Sequence, residues 1–343
     1  MTEFKHQSAL EAGFRMPGEW EPHSCCWMAW PCAEAIWGDY LPKTQQGYAN
    51  VANAIAAFEP VRMLTPPGSV KRARSLCTEA VEIIAWDLDD AWMRDMGPNF
   101  LTNGQGELAA SVFHFNAWGG KYTWYRKDAA VGHRLAEAMG IRTFSSPVFM
   151  EGGGLNVDGE GTLLTTRQCI LNSNRNPGIS LEDAEQELCA ALGLKKVIWL
   201  QGDPDDTETD GHVDGLACFV RPGVVLAETD PESMPGTAHH EAVQENIRIL
   251  ETATDAHGRR LEIHILPAAS SVGNLGDRFC RSMVNFYIAN GGIIMPAYGN
   301  EGDEAAFEIV SRCYPDRKVV QVDVNHIAYG GGGIHCITQQ QPA

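Results

Sequence analysis

Gly154-Leu155-Asn156-Val157-Asp158-Gly159-Glu160-Gly161-Thr162-Leu163-Leu164-Thr165-Thr166 holds two short apolar runs split by an Asp-Gly turn. Asp-Gly between apolar runs signals a β-hairpin, because the turn needs residues that tolerate positive φ. Further on, Ser180-Leu181-Glu182-Asp183 resembles a capping box. It opens a helix with Leu181, Ala184, Leu188 and Ala191 on one face. A hairpin followed by a helix is the pattern that decides the fold. Paired apolar runs recur at Phe100–Phe115, Gly215–Glu228 and Ser282–Pro296, and Thr102-Asn103-Gly104-Gln105-Gly106 reads as another hairpin turn. Helical periods recur at Val243–Ala253 and Ala305–Cys313. Hairpins alternating with helices predict an α/β or α+β chain and not an all-α one. No Pro/Ser-rich linker or charge block divides the chain, so a single domain over 1–343 is expected.

Twenty-six basic and 44 acidic residues leave a formal charge of -18. That balance disfavours nucleic acid or an anionic membrane as partner and favours small cations. No run approaches the roughly 20 apolar residues of a membrane span. The start, Met1-Thr2-Glu3-Phe4-Lys5-His6-Gln7, lacks a signal peptide's apolar core. The ten cysteines contain no CxxC pair. These features predict a cytoplasmic protein with reduced thiols. Most cysteines then read as small buried apolar residues, with Cys169, Cys189 and Cys218 in apolar-periodic segments. Cys336 differs. It follows Gly330-Gly331-Gly332-Gly333, where the backbone can approach a ligand closely.

Four loop-like segments carry the residue types of a thiol-based site. They are Trp92-Met93-Arg94-Asp95, Glu151-Gly152-Gly153, Asp210-Gly211-His212-Val213-Asp214 and Ile334-His335-Cys336. Asp95 to Glu151 is 56 residues, Glu151 to His212 is 61, and Asp214 to Cys336 is 122. A radial repeat sending one loop per unit to a common axis would produce such spacing. No pair shows HxxxH, HExxH or CxxC spacing, which leaves only a scattered metal site open by spacing; no cofactor is expected. The four glycines lack the Lys-Ser/Thr of a phosphate loop.

The chain resembles the agmatine deiminases of the guanidine-modifying pentein superfamily, the peptidyl-arginine-deiminase-like group. The resemblance runs from about residue 15 to the C-terminus. It is carried by Arg15–His23, Asp89–Pro98, Phe115–Gly120, Val157–Thr162, Leu171–Pro177, Val284–Gly292 and Ile334–Pro342. It implies a five-bladed α/β propeller with an axial site, no metal, and Asp95 and Asp214 at a substrate guanidinium. It also places Glu151 near His212. The chain departs from the family pattern at Gly154, Asn156, Gly215 and Gly333, and is shorter after Trp118-Gly119-Gly120 and between Pro267 and Arg278.

A guanidinium is planar and permanently charged, so two carboxylates can grip it and fix its carbon for attack. Cys336 is the expected nucleophile, His212 the proton donor and then base, and Glu151 the group that orients His212. Trp92, Trp118 and Gly333 are expected to join Asp95 and Asp214 around the substrate. His335 is expected to be structural, since neighbouring strand residues point to opposite faces. The expected reaction is hydrolysis of agmatine to N-carbamoylputrescine and ammonia. Arginine, peptidyl-arginine or another guanidino compound is the alternative substrate. An amidinotransferase and an inactive cation-binding module are the remaining alternatives. Asp203, Asp205, Asp206, Glu208 and Asp210 could receive a distal amine or form a solvated loop. Lys121, Arg126 and Lys127 could serve a substrate carboxylate. Composition leaves a homo-oligomer open.

Overall fold

The computed structural model describes residues 7–270, 276 and 278–343. Residues 1–6 of the N-terminal stretch, and 271–275 and 277 of the shortened segment, lie outside the described residues.

The hairpin at Asp158-Gly159 forms for identifiable reasons. Asp158 Oδ1 accepts the Glu160 and Thr162 amides, both at 2.8 Å, and Gly159 takes φ +71. Those bonds turn Asn156–Val157 antiparallel onto Thr162–Thr166. Ser180 Oγ then accepts the Asp183 amide and starts the helix Leu181–Leu192, which Gly193 ends in a left-handed conformation. The helix buries Ala184, Leu188, Ala191 and Leu192. The chain returns as Lys196–Leu200, parallel to Thr162–Thr166.

Among the described residues this strand–turn–strand–helix–strand plan occurs in four sheets, and a fifth follows the same order with its first two strands drawn from the two chain ends. One is Asn99–Asn103, Leu108–His114, helix Val131–Met139 and Arg142–Phe149, with Phe14–Arg15 added at its edge. The next is the sheet just described. A third is Ala217–Arg221, Val224–Thr229, helix Ala238–Thr252 and Glu262–Pro267. A fourth is Tyr287–Ala289, Gly292–Ala297, helix Gly302–Cys313 and Lys318–Asp323. The fifth joins the chain ends. C-terminal Thr338–Pro342 pairs antiparallel with His23–Ala29, helix Leu41–Ile55 follows, and Val61–Thr65 and Val81–Ala85 extend the sheet in parallel. The chain is therefore α/β, and five sheets of one plan are compatible with five blades. Every expected hairpin is present.

Two helices start earlier than their apolar periods. Ala238–Thr252 begins five residues before Val243 because Thr237 caps it, accepting the His240 amide. Gly302–Cys313 begins before Ala305, with Asp303 and Glu304 in its first turn, where anions are favoured. Cys169 and Cys218 are buried, as expected, whereas Cys189 is half-buried. The largest buried cluster includes Trp30, Trp37, Tyr48, Met63 and Trp92 and reaches Tyr287, Ile294 and Cys336. Burying such a side chain is worth about 1.5–3 kcal/mol, so this cluster fixes the loops that start beside it. No helix among the described residues is long and apolar enough to cross a membrane.

Candidate active site

Each sheet's first strand is preceded by a loop that delivers a polar side chain. Asp95 precedes Asn99–Asn103, Glu151 precedes Asn156–Val157, and His212 and Asp214 precede Ala217–Arg221. Asn285 precedes Tyr287–Ala289, and His335 and Cys336 precede Thr338–Pro342. The 122-residue interval thus hides a fifth contribution, Asn285. The sequence reading assigned it no role, although a five-unit spacing would have pointed to that loop.

The loops interlock. The Arg94 amide donates to the Cys336 carbonyl at 3.1 Å. The Gly153 amide donates to Asp95 Oδ1 at 2.9 Å. Asn285 Nδ2 donates to the Asp214 carbonyl at 3.2 Å, and its Oδ1 accepts the His335 amide at 2.9 Å. Asn285 Nδ2 also reaches Cys336 Sγ at 3.2 Å. Asp214 Oδ2 lies 3.5 Å from Cys336 Sγ. A β-carbon on Gly153 would stand 2.5 Å from His212 Nδ1, 2.9 Å from Asp95 Oδ1 and 3.0 Å from Asp214 Oδ2. Those three groups therefore converge where only glycine leaves room.

Trp118 Nε1 donates to Asp95 Oδ2 at 2.9 Å. Trp118 follows Ala117 through left-handed backbone (φ 57 and 52), held by Asn116 accepting the Gly119 amide. Trp92 stacks on Trp37 at 5.5 Å and meets Trp118 edge-on at 6.4 Å. Both tryptophans line a small cavity with Asp95, Tyr122, Glu208 and Cys336. Gly333 does not wall the cavities as Gly330 and Gly331 do. Its α-carbon packs on Asn285, close enough that a β-carbon would lie 2.5 Å from Oδ1.

His212 Nε2 lies 3.2 Å from Glu151 Oε2, while Nδ1 is buried with no hydrogen-bond partner, 3.9 Å from Asp95 Oδ1. Burial pulls the His212 pKa down, but Asp95, Cys169 and Glu151 push it well above the ordinary value. Burial pushes Glu151 up, and His212 and Arg175 more than offset it. Burial also raises Asp95, while Asp214 is held low chiefly by His335 despite its burial. The Cys336 thiol is driven well above its ordinary range, first by burial and then by Asp214 and Asp95.

His335 lies in a turn, not a strand, so the opposite-face argument does not apply. Its Nδ1 contacts Asp214 Oδ2 at 2.8 Å, the same oxygen that Cys336 faces, and its Nε2 contacts Glu19 at 2.9 Å. Cys169 is buried, but its thiol points at Glu151 Oε2 at 3.7 Å and is more than an apolar filler. Glu151, Cys169 and His212 are the one group among the described residues whose donors lie close enough to share an ion. Glu151 and His212 are engaged to each other, and Arg175 occupies the other Glu151 oxygen.

The acidic run is hydrogen-bonded and half-buried, except at Asp205, which is exposed. Asp203 contacts His239, Asp206 caps the following turn, and Asp210 takes Arg175 and Lys121. Glu208 accepts Tyr122 Oη at 3.2 Å and lines both cavities. Lys121 is committed to Asp210 and the Glu208 carbonyl. The larger cavity, about 440 Å³, also reaches His212, Asp214 and Cys336. Seven of its lining residues are Asp or Glu, against two arginines, Arg278 and Arg281.

Residues 15–342 match the Porphyromonas-type peptidyl-arginine deiminase family. The chain belongs to that family. A Legionella pneumophila relative is 43% identical over 333 residues, covering 96% of each chain. The agmatine deiminase of Ectopseudomonas mendocina is 39% identical, also with 96% of each chain covered. The structure of Enterococcus faecalis agmatine deiminase superposes with a TM-score of 0.93 at 35% identity, covering 100% of this chain and 99% of that one. The DDAH of Pseudomonas aeruginosa shares the fold, with a TM-score of 0.54 at 15% identity.

Proposed function

We propose that this chain hydrolyses agmatine to N-carbamoylputrescine and ammonia, as a single catalytic domain working through Cys336. The carrying observation is the convergence of Asp95, Asp214 and the unpartnered His212 Nδ1 on Gly153, with Cys336 Sγ beside Asp214. Asp95 and Asp214 hold the guanidinium by charge-assisted bonds, under the walls of Trp92 and Trp118. In the free protein the thiol is disfavoured as an anion. A bound guanidinium supplies the missing positive charge and favours the thiolate, whose proton leaves to solvent and is taken up again when the released ammonia becomes ammonium. Cys336 Sγ then bonds to the guanidinium carbon. His212 Nδ1 gives its proton to an amino group, and the C–N bond breaks to release ammonia. A cationic amidino-thioester remains. His212, now neutral, takes a proton from water as the water oxygen attacks. The C–S bond breaks, the ureido product leaves and the thiol is restored.

Glu208, which lines the cavity and accepts from Tyr122, suits the distal amine. Lys121 is already ion-paired with Asp210, which makes it a poorer partner for a substrate carboxylate. Arg278 supports the second reading, arginine, because it lines the cavity and donates to Tyr122 Oη at 3.3 Å. The acidic excess favours the amine. All ten cysteines are free thiols, which suits a reducing cytoplasm. The test is ammonia and ureido release with agmatine, arginine, an ω-guanidino acid and a peptide ending in arginine, with early-quenched mass spectrometry. Agmatine should lead by a wide margin in kcat/KM, with an adduct on Cys336. Better turnover of a carboxylate-bearing substrate removes agmatine, and an adduct on another cysteine removes the mechanism.

A further inference from the structure

Glu151 is fully buried, and so is the arginine behind it. Arg175 Nε donates to Glu151 Oε1 at 2.7 Å. The rest of the guanidinium binds the loop that leads to His212. Nη1 donates to Asp210 Oδ2 at 2.7 Å and to Asn174 Oδ1 at 2.9 Å, and Nη2 donates to the Thr209 carbonyl at 3.1 Å. Asp210 also takes Lys121 and Asn174, each at 3.0 Å, and sits at φ 60, a conformation uncommon for a non-glycine residue. One guanidinium therefore ties the acid behind His212 to the residue two before His212.

We propose that Arg175 is a positioning residue for the deimination, holding Glu151 as the anion that keeps His212 anchored through Nε2 with Nδ1 turned to the substrate. The proposal rests on the function proposed above. A buried carboxylate with no cation beside it takes up a proton. The titratable groups facing Glu151 are His212, Arg175 and the Cys169 thiol, with Asp95 beyond His212 and Asp210 and Lys121 beyond Arg175. Of the two cations in contact, His212 loses its charge midway through the reaction. Arg175 does not. It keeps Glu151 ionised while His212 is neutral, so the proton from the attacking water goes to His212 Nδ1 and the Glu151–Nε2 bond survives the cycle.

The experiment is the pH profile of kcat with agmatine for wild type, Arg175→Met, Arg175→Lys, Glu151→Gln and the Arg175→Met/Glu151→Gln double variant. Folding of each is checked by circular dichroism and melting. Arg175→Met should lower kcat near neutral pH and move the acidic limb up by about 1–3 pH units, the usual effect of a neighbouring arginine on a carboxylate. Arg175→Lys keeps a cation and should recover part of the rate with a smaller shift. On the Glu151→Gln background, Arg175→Met should cost little more. A limb that stays in place, or losses that multiply in the double variant, overturns the proposal. If Arg175→Met does not fold, Arg175→Lys alone and on the Glu151→Gln background decides by the same two criteria. A wild type that turns over no guanidine sinks the function. An active wild type with an unmoved limb sinks only the role of Arg175.

Discussion

Two buried histidines flank the proposed nucleophile, and they are wired differently. His335 has both ring nitrogens engaged, Nδ1 with Asp214 and Nε2 with Glu19, and Arg94 lies 3.8 Å from Glu19. His212 has Nε2 on Glu151 and nothing on Nδ1. Charge does not separate them. Burial lowers both pKa values, nearby carboxylates raise both above the ordinary value, and both favour the imidazolium. Hydrogen-bond valence does separate them. A histidine with both nitrogens occupied must break a buried bond to pass a proton, and a buried group left unsatisfied costs about 1–3 kcal/mol. His212 is open on the side that faces Gly153, Asp95 and Asp214. In the proposed mechanism that side meets substrate, and His335 serves as a strut that holds Asp214.

The largest effect expected from this contrast is in His212→Asn. Its kcat should fall about 10²–10⁴-fold, the usual worth of a positioned acid–base group, with KM little changed. His335→Asn should act mainly through KM, because it loosens the Asp214 grip. Steady-state kinetics of the two variants side by side decide the matter. An equal loss of kcat with unchanged KM in His335→Asn would break the contrast.

Gly153→Ala comes next. Its methyl would press on His212 Nδ1 and on both carboxylates at once. A loss of about 100-fold in kcat/KM is expected, the scale of a misplacement near 1 Å. Near-normal turnover by a folded Gly153→Ala protein would mean that the open side of His212 is not where substrate sits.

Asp95→Asn and Asp214→Asn should each weaken binding of a non-reactive guanidine by about 1.5–3 kcal/mol, read by calorimetry. Asp214→Asn should also disturb His335, so its loss should exceed that of Asp95→Asn. The reverse order would argue against a strut.

The smallest effect is on stability. Burial opposes ionisation of Glu19, but His335 and Arg94 outweigh it and hold the pKa at about 2, against an ordinary 4.5. A depressed carboxyl contributes stability above its unfolded pKa and loses that contribution as pH falls through the folded one. The relevant window runs from 4.5 down to about 2. In urea melts, wild type should exceed Glu19→Gln near neutrality, and the gap should narrow toward about pH 3. A constant gap would detach Glu19 from the His335 strut.

The amino-acid order alone carried the α/β class, every hairpin and the loops that hold Asp95, Glu151, His212, Asp214 and Cys336. Those features are local. Turn residues, capping side chains and the change of period between strand and helix act within a few residues of themselves, so a linear reading detects them. What only the tertiary structure decided is how the loops meet. Asn285 lies in a segment with no unusual composition, yet it touches Cys336, His335 and Asp214 from two other sheets. Arg175 reads as one basic residue among 26 and becomes the partner of Glu151 only when separate loops are packed together. The free nitrogen of His212 and the two occupied nitrogens of His335 follow the same rule. Which partner a side chain finds depends on three-dimensional neighbours far away in sequence, as with His335 and Glu19, 316 positions apart, and no local pattern records that.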